Sequence, residues 1–143
     1  MRRSEFGDFL ERSLAILARE MPRSHARLCA AMRGRCVAFT VDGPPVLLSF
    51  AEGGSAVGPV AGAAPEIESA LSKQTIFDLL DAEISLEEAV LSDRFLLRAP
   101  VRDLEVFFQA LQLYLRGAVR CPSLPDLLEE YRRGDAAAAA AET

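Results

Sequence analysis

Apolar residues recur along this chain with two periods, and the changes of period mark its elements. Phe6, Phe9, Leu10, Leu14 and Leu17 return every three to four residues, which predicts an amphipathic helix ended by Pro22. A second helix follows, with His25, Leu28, Cys29 and Met32 on one stripe and Gly34 placed as its C-terminal cap. The period then drops to two. Val37, Phe39 and Val41 alternate with Ala38 and Thr40, as in a strand with one buried face. Asp42-Gly43-Pro44-Pro45 is turn chemistry, and Val46, Leu48 and Phe50 alternate again beyond it. Glu52-Gly53-Gly54 predicts the next turn. Residues 55–60 predict a weaker edge strand, shortened by Gly58 and Pro59.

After a loop at 61–65, Ile67 and Leu71 face one way and Glu66 and Glu68 the other. Three or four short strands in a row predict an antiparallel meander. Ser72 is placed as the N-cap of a helix over 73–81, and Ser85-Leu86-Glu87-Glu88 fits a capping box. Phe95, Leu97 and Ala99 alternate with Leu96 and Arg98 as one more strand, stopped by Pro100. Asp103 is expected to cap the clearest helix, whose stripe is Leu104, Phe107, Phe108, Leu111, Tyr114, Leu115 and Ala118. Ser123 onward predicts a short last helix, followed by a low-complexity alanine tail expected to be disordered. The strands are one-sided, so helices are expected on a single face of the sheet.

Composition narrows the class. The 143 residues, half of them hydrophobic and about a quarter charged, suit one globular domain. No apolar run approaches the ~18–20 residues of a membrane-spanning helix. Acids at Glu5, Asp8 and Glu11 directly follow Met1-Arg2-Arg3 where a secretory signal would be apolar, so a cytoplasmic protein is expected. Cys29, Cys36 and Cys121 are odd in number and lack a close pair, which argues against a disulfide framework and a cysteine zinc site. Fifteen arginines against one lysine fit a G+C-rich bacterial genome.

Charge is unevenly spread. Residues 1–36 carry a net +4, residues 37–93 a net −9, and residues 94–143 balance. The isoelectric point of about 4.9 argues against nucleic acid, while the basic first third could meet an anionic membrane or an acidic partner.

Catalytic chemistry is hard to find. His25 is the sole histidine and lies on an apolar stripe, where a structural imidazole is the simpler role. Gly53-Gly54 and Gly58 with Gly62 match neither a dinucleotide fingerprint nor a phosphate loop. Glu87 and Glu88 suit a helix start, and Glu66 and Glu68 a solvated strand face. No enzyme, metal site or cofactor is expected.

The succession Val37–Gly43, Val46–Phe50, Glu66–Leu71, Ile76-Phe77-Asp78-Leu79-Leu80, Ile84–Ala89 and Arg94–Ala99 resembles the sterol carrier protein family over roughly residues 25–120. The resemblance implies an α+β fold: a mainly antiparallel five-stranded sheet with helices on one face. It also implies a hydrophobic tunnel between the layers that accepts fatty acyl, sterol-like or isoprenoid lipids without covalent chemistry. One domain would span 1–134, with a helical pair at 1–33, a sheet-and-helix core at 36–120 and a short helix at 123–133, before a disordered tail at 135–143. Phe39, Val41, Leu48 and Phe50 would wall the tunnel from the sheet, and Phe77, Leu80, Phe107, Leu111 and Tyr114 from the helices. Tyr114 would orient a polar headgroup. Ser92-Asp93 and Ala99-Pro100 depart from the family, which often has a glycine and a Gly-Asp at these places. The last residues read Ala-Glu-Thr and not the peroxisomal Ser-Lys-Leu, so that address is not expected.

Burial of each Phe or Leu is worth ~1.5–3 kcal/mol, so folding alone can account for these stripes. A lipid-binding module for lipid transport is therefore expected, with a protein-interaction or scaffolding module on the same fold, its cavity filled, as the alternative. Its partners would be a lipid, a protein or a second copy, with transient membrane contact.

Overall fold

The computed structural model describes residues 5–51, 54–60 and 64–142, with side chains described as far as Gly134. Residues 52–53 and 61–63, within the expected turn and loop, lie outside the described residues. Two helices open the chain, α1 (Glu5–Glu20) and α2 (Pro22–Ala31). Four strands follow: β1 (Cys36–Thr40), β2 (Val46–Ala51), β3 (Gly54–Pro59) and β4 (Ile67–Leu71). Then come α3 (Lys73–Leu80), α4 (Leu86–Leu91), β5 (Phe95–Arg98), α5 (Val101–Ala118) and α6 (Leu124–Glu142).

Local chemistry explains most boundaries. Pro22 ends α1 and occupies the first turn of α2, where its missing N–H costs nothing. Gly34, at φ +79°, turns the chain after α2 and donates its N–H to the Phe50 carbonyl at 3.0 Å. The Ser72 hydroxyl accepts from the Thr75 N–H at 3.1 Å. Ser85 and Glu88 form the reciprocal capping box.

The sheet order is β3-β2-β1-β4-β5. Here the expected antiparallel meander is corrected: the sheet is mixed, because β4 lies parallel to β1. Alternation reveals which face a residue takes but not the direction of the neighbouring strand, and a strand reads the same either way. The central place of β4 is fixed by packing and polar links. Val37 and Ile67 are register partners and both are fully buried. The Ser69 hydroxyl donates to the Ala38 carbonyl at 3.1 Å, and Glu66 accepts the Cys36 N–H at 2.8 Å. Glu66 thus closes the end of the ladder instead of pointing idly into solvent.

Two helix boundaries also differ from expectation. Asp103 does not cap α5, which starts at Val101 behind Pro100. The Asp103 carboxylate instead accepts from Arg35 Nε at 3.1 Å, so a long-range ion pair takes the side chain that a local cap would have used. The short helix expected at 123–133 is part of α6.

The core lies between the helices and one face of the sheet. Phe39 meets Phe6 and Phe107 with ring centroids 5.6 and 5.9 Å apart, and Phe95 meets Phe107 edge-on. The other face carries the exposed Thr40, Glu68, Leu96 and Arg98.

An apolar cavity between the two layers

Between the sheet and the helices is a cavity of about 90 Å³. Its floor is the inward face of the sheet, with Phe39, Leu48, Phe50, Leu71 and Phe95. Its roof comes from α5, where Phe107, Ala110, Leu111, Tyr114 and Leu115 repeat at helical spacing. Phe6, Phe9, Leu10 and Leu14 of α1 and Leu28 and Met32 of α2 close one side, while Ile76, Leu79, Leu80 and Leu86 of the α3–α4 region complete the wall.

Seven of the nine residues expected to face a tunnel line this space: Phe39, Leu48, Phe50, Leu80, Phe107, Leu111 and Tyr114. Val41 and Phe77 do not. Val41 sits just past the end of β1 and is buried elsewhere in the core. Phe77 looks toward α6, with its ring 5.6 Å from that of Tyr131 and the Arg132 guanidinium 4.6 Å above it. Helix α1 adds a wall that was not among the expected lining residues. Its stripe was legible as amphipathic, but periodicity does not say which space an apolar face covers.

Tyr114 brings the one polar side-chain atom among the lining residues. Its hydroxyl donates to Ser13 Oγ at 2.8 Å, and Ser13 in turn donates to the Leu10 carbonyl at 2.9 Å. Burial pushes the phenol up to about 12, against the opposing pull of the Ser13 hydrogen bond. The hydroxyl proton is therefore committed to α1, and only the lone pairs of the phenol oxygen remain to receive a ligand donor.

Helix α1 is held over the cavity from outside. Phe9 stacks on Tyr131 at 4.5 Å, and Arg12 makes two 3.0 Å hydrogen bonds to the Glu130 carboxylate. These bonds hold Glu130 below the usual carboxylate range. Lys73 pairs with Glu5 and sits 4.2 Å above the Tyr131 ring. At the other end of α1, Glu20 accepts from both the backbone N–H and the hydroxyl of Ser123, and these bonds lower its pKa.

Other candidate chemistry is dispersed. His25 lies 3.6 Å from Cys29 Sγ, and burial lowers the imidazole pKa and raises that of the thiol. Among the described residues no three His, Cys, Asp or Glu side chains come together as a metal site, and no helix is long and apolar enough to cross a membrane.

No protein-family model and no curated protein sequence matches the chain. Solved structures do. A sterol carrier protein domain 2 of Helicoverpa armigera matches with a TM-score of 0.55 at 18% identity, covering 78% of this chain and 88% of that one. The apo form of sterol carrier protein 2 from Yarrowia lipolytica matches with a TM-score of 0.54 at 12% identity, over 80% and 90% of the two chains. The UbiJ-SCP2 ubiquinone synthesis protein matches with a TM-score of 0.50 at 15% identity, over 65% and 72%. The fold is that of the sterol carrier proteins.

Proposed function

We propose that this chain is a non-catalytic lipid-binding module that takes the apolar part of a fatty acyl, sterol-like or isoprenoid lipid between sheet and helices. The observation that carries this reading is the composition of the cavity wall. Both layers contribute aromatic and aliphatic side chains, and Tyr114 alone adds a polar group, the pattern of a site that draws affinity from burial and orientation from a single handle. The carrier fold of the neighbours supports the same reading. The module would work in the cytoplasm without a cofactor.

Size sets the condition. Small-molecule sites occupy ~300–1,000 Å³, well above the 90 Å³ found here, so uptake requires the layers to part. Helix α1 closes one side of the cavity, and moving it would break the Tyr114–Ser13 hydrogen bond, the Phe9–Tyr131 stack and the Arg12–Glu130 ion pair and expose its buried apolar stripe. The same small volume favours a second reading, a protein-interaction module, alone or as a homodimer, that keeps the fold with a closed core.

Native mass spectrometry of the purified full chain separates the two. Copurified lipid, and a rise in melting temperature with acyl, sterol or quinone ligands, are expected of the carrier, since a ligand of the folded state stabilises it. Protein without lipid, unmoved by any of these ligands, overturns that reading. A salt-sensitive oligomer indifferent to neutral lipid would mark the interaction module.

A further inference from the structure

The helix layer has an outer face with an unusual charge. No Asp or Glu occurs between Met21 and Val41, or between Val106 and Pro125, and these stretches contain all of α2 and most of α5. Arg23, Arg27, Arg116 and Arg120 are exposed, and none has an ion-pair partner among the described residues.

These four arginines share one side of the molecule. A Cβ placed on Gly117 would lie 3.0 Å from Ser24 Cβ, so α5 and α2 touch at that point. At their other ends Arg35, just past α2, bonds Asp103 in the first turn of α5. The two helices therefore run antiparallel. At about 100° per residue, Arg23 and Arg27 lie on one side of Ser24, and Arg116 and Arg120 lie in the same sense beside Gly117. In an antiparallel pair, equal offsets from the contact point to the same side of the layer. The buried Leu28 and Met32 of α2 and Phe107 of α5 lie at the opposite offset, toward the cavity. The arginines therefore point away from the sheet. Val119, 58% exposed, follows on the same side, about 60° further round the helix than Arg116.

We propose that this outer face of the α2–α5 pair docks on an anionic lipid bilayer, with the four guanidiniums on lipid phosphates and Val119 entering the headgroup layer. Guanidinium is the side chain best matched to phosphate, and an apolar residue level with the charges suits an interface that is wet on one side and apolar on the other. The chain's net charge of −5 does not forbid this contact. The negative excess lies in residues 37–93, which carry a net −9, and ~0.1 M salt screens charges over about 10 Å. Acids close to the face are otherwise engaged or at its far end: Asp103 is paired with Arg35, Glu20 is bonded to Ser123, Glu87 accepts from Gln112 of α5 at 3.3 Å, and Glu105 lies near the start of α5. The same helices carry the cavity wall on their inner face, so docking would bring the cavity roof against the membrane. That last consequence rests on the carrier reading, whereas the docking itself does not.

Cosedimentation of the full chain with vesicles tests it. Vesicles of phosphatidylcholine with roughly 30% phosphatidylglycerol are compared with phosphatidylcholine alone at ~0.1 M and ~1 M salt. Binding is expected only to the anionic vesicles, and only at the lower salt. Arg116→Gln with Arg120→Gln should weaken it about thirtyfold, the combined effect of two arginines near an anionic surface. Arg98→Gln, on the open face of the sheet, should leave it unchanged. Both variants should melt with the wild type, which excludes unfolding as the cause. Absence of binding to the anionic vesicles at ~0.1 M salt, equal binding to both kinds, or an unaffected arginine double variant overturns the proposal. So does tighter binding to soluble polyglutamate, which would assign the face to an acidic protein. Vesicle binding is read without cargo, so its failure leaves the native mass spectrum of the protein to decide the carrier reading separately.

Discussion

At the scale of single residues, α5 carries both a glycine with no room for a side chain and a buried, perturbed phenol. Gly117 stands where α5 crosses the end of α1 and the start of α2, and an added Cβ would come within 2.7 Å of Leu17 Cδ1 and 3.0 Å of Ser24 Cβ. Replacing glycine by alanine inside a helix ordinarily stabilises by up to ~1 kcal/mol. Leu17 could swing its methyl aside, but Ser24 Cβ is fixed to the backbone of α2, so the helices must separate. Overpacking of this kind costs about 1–3 kcal/mol, and Gly117→Ala should lose roughly 1–2 kcal/mol net in urea denaturation. Tyr114→Phe removes one hydrogen bond to Ser13 and should cost ~0.5–1.5 kcal/mol at neutral pH. Its alkaline behaviour has a definite sign. The folded phenol holds its proton up to about 12, above the ordinary tyrosine value. The unfolded chain therefore releases that proton first. Stability from this group is complete below about pH 10 and is lost as pH rises toward 12. The advantage of the wild type over Tyr114→Phe should shrink between about pH 9 and about pH 11, measured by urea melts at each.

At the scale of elements, the helix starts that depend on neighbours in sequence are the most local features. Ser85 accepts from the Glu88 N–H at 3.1 Å while Glu88 accepts from the Ser85 N–H at 3.3 Å. Ser85→Ala should destabilise by about 1 kcal/mol, visible as an earlier urea midpoint with an unchanged slope. This device was legible in the sequence because all its parts lie within four residues. The same holds for the Ser72 cap, for Pro22 between α1 and α2, and for the alternation of Val46, Leu48 and Phe50. What was not legible depends on residues far apart in the chain. Arg35 reaches across 68 positions to take the Asp103 carboxylate, so a local reading misplaced the start of α5. The direction of β4 is decided by Val37, Ala38 and Cys36 on another strand, which an alternating pattern cannot encode. The cavity was half visible for the same reason. Phe39, Leu48, Phe107 and Leu111 declared an inward face, but only tertiary packing brings Phe6, Phe9, Leu10 and Leu14 over them and turns Phe77 toward Tyr131.

At the scale of the whole molecule, the decisive quantity is the space left between two layers that are both apolar. A void of 90 Å³ costs about 2 kcal/mol at ~24 cal/mol per Å³, a large share of the stability of a domain this size. A binding protein can tolerate that cost because the ligand removes it, whereas a closed core has no reason to keep it. Ala110 tests which account applies. It is buried, lines the cavity from α5, and has the smallest side chain among the lining residues. Ala110→Leu would place three further carbons in the void and leave the caps and the outer arginines unaltered. If the leucine fits the void, the lipid-free variant should match the lipid-free wild type or exceed its stability by at most about 2 kcal/mol. If Ala110 is already in close contact, overpacking should cost ~1–3 kcal/mol instead. The second readout is lipid. A carrier should yield lipid-bound wild type and an empty variant in native mass spectra, because the leucine occupies the space into which the ligand must first enter. A more stable variant, with no lipid in either protein, would show the void to be a packing defect and would end the carrier reading while leaving the fold intact.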